Sequence, residues 1–132
     1  VNEEMVYCPP SFAQRLVAIY LRSESRTRYI REVVEIYRQK RDVAVAALRR
    51  YVPEARFVVP SGSMFIFADL SRYISDGEIF ARELLERYGV AVVPGSYFSN
   101  VYKAAVRISF VTETPQRIEE GIRRIGEALR AT

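Results

Sequence analysis

Three segments of this 132-residue chain hold residues whose types and spacing could do chemistry. The first is Val106-Arg107-Ile108-Ser109-Phe110, where one arginine interrupts an apolar run. Period-two alternation puts Val106, Ile108 and Phe110 on one face of a strand, and Arg107 with Ser109 on the other. A guanidinium placed there is costly unless an anion meets it, and its planar fork suits a bidentate grip on a carboxylate. A salt bridge to one of the chain's own acids would satisfy it as well. The second segment is Pro94-Gly95-Ser96, where proline fixes φ and glycine permits a positive φ or close approach of backbone to a ligand. The third is Pro60-Ser61-Gly62-Ser63, a turn cluster that leads into Met64 and Phe65.

Other chemistry is excluded by composition. There is no histidine, so a Cys-His dyad, a His-bearing zinc site and the usual neutral-pH general base are absent. Cys8 is the one cysteine, which rules out an internal disulfide and reads as a small apolar side chain. Proton transfer would fall to carboxylates, tyrosines and two lysines. Catalysis by this chain alone looks poor, and Val1-Asn2-Glu3-Glu4 resembles neither a processed start nor a tag, so a piece of a longer polypeptide is expected.

These segments need a scaffold to hold them. Residues 11–21 are nearly all apolar and read as a short buried helix opening at Ser11, an element that packs on something larger. Ile30, Val33, Val34, Tyr37, Ala44, Val45 and Leu48 recur at helical steps, predicting a second helix over 25–51 that Pro53 stops. At about 40 Å it exceeds what a domain this size needs for its own core, and such a helix often bridges two domains. Residues 56–59 and 64–68 read as strands on either side of the turn cluster. Asp76 caps a helix with Ile79, Phe80, Leu84, Leu85 and Tyr88 as its stripe, and Gly89 ends it. An apolar strand over 90–93 and the arginine strand follow. Thr114-Pro115 then opens a last helix that buries Ile118, Ile122, Ile125 and Leu129. The expected class is α+β, a two-layer sandwich with a small sheet, helices packed on one face, and a long interdomain helix before it.

Charge is unevenly placed. Residues 15–56 hold eleven Arg or Lys against five acids, whereas 57–132 hold nine of each. In the basic part the cations alternate with apolar residues at helical spacing, which reads as a solvated helix face and not a nucleic-acid surface. No apolar run approaches the roughly 20 residues of a membrane span, and no signal-peptide pattern is present, so no membrane partner and a cytoplasmic protein are expected. Eighteen arginines against two lysines suggest a thermophilic or GC-rich source.

Taken together, the segments resemble the C-terminal small domain of the fold-type-I, pyridoxal-phosphate-dependent aminotransferases of the aspartate aminotransferase-like class I/II group. Tyr37-Arg38-Gln39-Lys40-Arg41-Asp42 is similar to that family's tyrosine-to-Arg-Asp signature on the long interdomain helix, and Gln14 to the glutamine of the preceding helix. Pro60-Ser61-Gly62-Ser63-Met64-Phe65 resembles its Pro-x-Gly-Gly-x-Phe segment. The stretch from Gly89 through Val90, Ala91, Val92, Val93, Pro94, Gly95, Ser96 and Tyr97 to Phe98 resembles its Gly-Val-x-x-x-Pro-Gly-x-x-Phe segment.

The resemblance implies that 1–24 is a remnant of the large domain and that 25–132 is the small domain with its linking helix. It gives Arg107 the substrate α-carboxylate, and places Gly62, Ser63, Phe65, Pro94 and Gly95 at the substrate mouth. It implies amino acid and 2-oxo acid substrates, pyridoxal phosphate in the full-length protein and a homodimer. The Schiff-base lysine would lie upstream of Val1, with Lys40 and Lys103 as surface lysines. Two departures are expected to matter: Ser63 stands for the second glycine of the pair, and Ser99 follows Phe98 where glycine is usual. A lyase, a decarboxylase or a regulator domain of the same fold, or a non-catalytic α+β binding module, would share these features.

Overall fold

The structure, a computed structural model, describes residues 10–132; Cys8 and the opening Val1-Asn2-Glu3-Glu4 lie outside the described residues. The chain divides into two compact units, Val1–Ile36 and Tyr37–Thr132.

Helix α1 (Ser11–Arg22) lies in the first unit, and none of its residues is buried. The expected buried helix is therefore corrected: Phe12 is 77 % exposed and Ile19 69 % exposed, so the apolar composition marks a face that the described residues leave uncovered. Its cap is corrected too. Pro10 holds the N-cap position without a side-chain hydrogen bond, and Ser11 is already helical. Helix α2 (Glu24–Tyr51) has 28 residues, and its buried positions are confined to Ala44, Val45, Ala47 and Leu48.

The rest of the second unit is a three-stranded antiparallel sheet in the order β1-β3-β2, with β1 Phe65–Asp69, β2 Val93–Pro94 and β3 Ala105–Ser109. Helices α3 (Gly77–Tyr88) and α4 (Pro115–Arg130) complete it. Ile66 and Ala68 of β1, together with Val106, Ile108 and Phe110, form one face of the sheet, packed with Leu48, Phe80, Leu84, Ile122 and Ile125 in a single core. Each such large side chain contributes about 1.5–3 kcal/mol of burial. The class is α+β, with helices on one face of a small sheet, as the sequence predicts.

Local end signals hold. The Asp76 carboxylate accepts from the Glu78 and Ile79 amides, and Gly89 closes α3 at φ 66°, where its amide donates to the Leu84 and Leu85 carbonyls. Thr114 caps α4 with Pro115 behind it. Within α3 the buried set is Gly77, Phe80, Ala81 and Leu84, so Ile79 and Leu85, expected in the stripe, face outward. Arg124 ties α4 to the end of α3 by donating to the Tyr88 carbonyl at 3.0 Å. Its partner Glu120 accepts from Arg123 and Arg124, hydrogen bonds that hold its carboxyl down at about 2.

Two strands are shorter than expected. In 56–59 only Arg56 pairs, bridging Asp69, because Pro60 has no amide to donate and the bend before β1 carries the chain away from a ladder. In 90–93 only Val93 joins the ladder, together with Pro94. Ala91 and Val92 make no ladder pair, and with Ile108, Ser109 and the α4 residues Arg117, Ile118 and Ile122 they line a cleft of about 320 Å³.

Candidate functional site

The face of the sheet away from the helices carries Phe65, Phe67, Arg107 and Ser109, all half-buried. Register sets Arg107 opposite Phe67 on β1 and opposite Val93 on β2, so it occupies the middle of the central strand. Its guanidinium lies 4.2 Å from the centre of the Phe65 ring and 4.9 Å from that of Phe98. Cation–π contacts of this kind contribute about 0.5–2 kcal/mol and orient the group while giving its N–H donors no strong acceptor.

Among the described residues no carboxylate pairs with Arg107. Asp69, the acid on the same face, is committed elsewhere: it accepts from the Ser71 amide at 2.9 Å. That hydrogen bond, with Arg56 nearby, lowers the Asp69 carboxyl from its ordinary range. The private salt bridge that an isolated strand arginine would suggest is thus not formed.

Two aromatic loops border the arginine. Phe67 meets Phe98 edge to face at 5.9 Å and Tyr102 at 5.1 Å. Beside them a groove of about 1000 Å³ opens over Phe57, Val58, Phe65, Phe67, Val101 and Tyr102. A ring-oriented cation with no carboxylate partner among the described residues, beside a groove that also carries Arg56, Asp69 and Lys103, can bind a small carboxylate.

The sequence profile of aminotransferase class I and II matches residues 2–125. The chain belongs to this aminotransferase family. It is 36% identical over 124 residues to a 2-aminoadipate transaminase from Thermus thermophilus, covering 92% of this chain and 30% of that protein. It superposes with a TM-score of 0.88 and 32% identity on an archaeal alanine:glyoxylate aminotransferase, covering 98% of this chain and 33% of that one. With an α-aminoadipate aminotransferase from Thermus thermophilus, solved in complex with N-(5'-phosphopyridoxyl)-L-leucine, the TM-score is 0.84 at 32% identity, over 98% and 33% of the two chains. This aminotransferase chain therefore spans about a third of the length of its relatives.

The two departures from the aminotransferase glycine pattern behave differently. Ser63 sits at φ 72°, the left-handed region that glycine enters freely and an L-residue enters at a cost of about 1–2 kcal/mol. Ser99 is extended at φ -168°, and its hydroxyl accepts from the Val101 amide, so glycine is not required there. Ser63→Val is expected to lower the unfolding free energy by about 1–2 kcal/mol and Ser63→Gly to leave it level or higher. Urea midpoints measure both; a valine variant as stable as the parent would contradict the strain.

Of the residues assigned from sequence, Phe65 stacks on Arg107, Pro94 pairs with Val106 in the ladder, and Gly95 is buried at the start of the Gly95–Tyr97 turn. Gly62 stands in the bend before β1 with open space about its α-carbon. Phe98, Phe67 and Tyr102 were not among the site residues read from sequence, although Phe98 closes the Pro-Gly segment; Phe67 stands opposite Arg107 by strand register, whereas Phe98 reaches the guanidinium and Tyr102 the Phe67 ring through turn geometry that residue types do not carry. Lys40 is corrected from a surface lysine: it is half-buried and donates to the Val111 carbonyl at 2.8 Å, tying α2 to the end of the arginine strand. Lys103 is exposed.

Proposed function

We propose that the intact protein is a pyridoxal-phosphate-dependent aminotransferase that moves an amino group between an amino acid and a 2-oxo acid. In this reading Arg107 holds the α-carboxylate, and the loops 61–65 and 94–98 form the mouth around it. The observation that carries it is the ring-oriented guanidinium of Arg107, which has no carboxylate partner among the described residues and is matched in shape to a carboxylate. Fixing one end of the substrate by a bidentate pair supplies several kcal/mol of positioning. The Phe65 and Phe98 rings beside the guanidinium lower the local dielectric and strengthen that grip.

Pyridoxal phosphate, when bound, supplies the electron sink for the exchange. The described residues do not fit its covalent anchor: the Lys40 ammonium is committed to a main-chain carbonyl, and Lys103 projects as an exposed side chain at the groove. The reading therefore assigns the cofactor to the remaining two thirds of the protein, within a cytoplasmic homodimer.

The full-length protein, supplied with pyridoxal phosphate, an amino donor and a 2-oxo acid acceptor, is expected to form the donor's 2-oxo acid. The 132-residue chain treated with the cofactor and borohydride is expected to carry no adduct on Lys40 or Lys103. An absence of transfer across a panel of donors, or an adduct at either lysine, would overturn the reading.

A further inference from the structure

The loop that carries Phe98 is fastened to the first turn of α3. The Gly77 amide donates to the Lys103 carbonyl at 2.7 Å. Gly95 lies so close to the return of the loop that a Cβ there would stand 2.5 Å from the Tyr102 carbonyl oxygen and 2.9 Å from the Ala105 Cβ. One side-chain contact completes the attachment: the Ser96 hydroxyl donates to Glu78 Oε1 at 2.6 Å. Glu78 is itself held in place, since its amide donates to the Asp76 cap at 2.8 Å. Among the described residues its carboxylate enters no ion pair, and Ser96 is its side-chain partner.

Ser96 is the second residue of the Gly95–Tyr97 turn, and the Phe98 amide closes that turn on the Gly95 carbonyl at 3.0 Å. Phe98 in turn lies 4.9 Å from the Arg107 guanidinium. We propose that Glu78 is a positioning residue for the carboxylate site, acting through Ser96 to hold the turn that sets Phe98 beside Arg107. The inference rests on the reading of Arg107 as the substrate-carboxylate grip. Glu78 acts on the site only through Ser96, whose hydroxyl is directed to the Glu78 carboxylate. They limit the excursions of the aromatic ring that orients the arginine.

A carboxylate in the first turn of a helix also stabilises the helix dipole, and that purely structural role makes opposite demands on substitution. The dipole needs charge, which Glu78→Asp keeps. The hydrogen bond needs an acceptor at glutamate's reach, which Glu78→Gln keeps.

In the full-length enzyme, Ser96→Ala and Glu78→Asp are expected to raise KM for both the amino acid and the 2-oxo acid by roughly five- to tenfold, the scale of one lost hydrogen bond. With both, kcat should stay within about twofold, and Glu78→Gln should keep KM within about twofold of the parent. Combining Ser96→Ala with Glu78→Ala should raise KM no further than the worse single variant, because both remove one contact. A KM that rises with Gln and not with Asp, or that stays unchanged in Ser96→Ala, would overturn the inference. Arg107→Lys, assayed in parallel, separates the two failures. If it abolishes efficient turnover while the Ser96 and Glu78 variants bind normally, this inference alone is wrong; if it too is silent, the carboxylate reading is wrong.

Discussion

Arg107→Lys in the full-length protein is expected, on the proposed aminotransferase reading, to lower kcat/KM for amino acids by on the order of 10²-fold or more, with pyridoxal phosphate occupancy unchanged. The charge survives this substitution, so a site that needed only a cation would tolerate it. What is lost is the planar fork, whose geometry suits two carboxylate oxygens at once, and the delocalised face that rests against Phe65 and Phe98. An ammonium on a flexible stem cannot replace either. A hundredfold loss corresponds to about 2.7 kcal/mol of transition-state stabilisation, within reach of a bidentate charge-assisted pair. Steady-state kinetics with a cofactor-absorbance check measure it. Unchanged kinetics would refute the role of Arg107, and loss of cofactor would mean that the substitution acts elsewhere.

Three residues along the same segment, the opposite behaviour is expected. Phe110→Ala should cost about 3–5 kcal/mol of unfolding free energy, because the ring is 1% exposed and its removal leaves a hole that the neighbouring elements cannot fill. Phe110 shares its face with Val106 and Ile108, and its amide donates to the Met64 carbonyl at 3.1 Å, so backbone and ring both fix it. Against a total of about 5–15 kcal/mol for a domain, that loss is large. Urea unfolding of the 132-residue chain should show a lower midpoint at an unchanged slope. A midpoint equal to the parent's would show that the site collapses without cost. Arg107→Lys, by contrast, lies outside the core and should lower the midpoint far less, by no more than the lost contacts with Phe65 and Phe98 contribute.

How far the sequence can be read depends on how far apart the interacting residues lie. The ends of α3 and α4 were legible because Asp76, Gly89, Thr114 and Pro115 act on amides and carbonyls a few residues away. The two faces of β3 were legible because alternation is a property of the strand itself. Strand length was not: whether Arg56 or Ala91 joins a ladder depends on Pro60, on the bend before β1 and on the cleft beside Ile108. For α1, an apolar face was visible but not its cover, so a buried helix was expected where an exposed one is found. The aromatic flanks of Arg107 were half legible. Phe65 shares the sheet face by simple periodicity, whereas Phe98 arrives through a turn whose shape depends on Gly95 packing against Ala105. Which of the two replaced glycines carries strain likewise needed backbone angles, and Ser63 rather than Ser99 proved to be the one.

The alternation of β3 also protects the fold against its own nearest error. Sliding β3 by one residue against β1 and β2 would exchange its faces, and Arg107 would enter the space now filled by Ile108 while Val106 and Phe110 turned to water. Burying an unpaired guanidinium there costs several kcal/mol, and the three displaced apolar side chains would forfeit their burial as well. The residue read as a substrate contact thus also acts as a register key, penalising the misaligned sheet during folding.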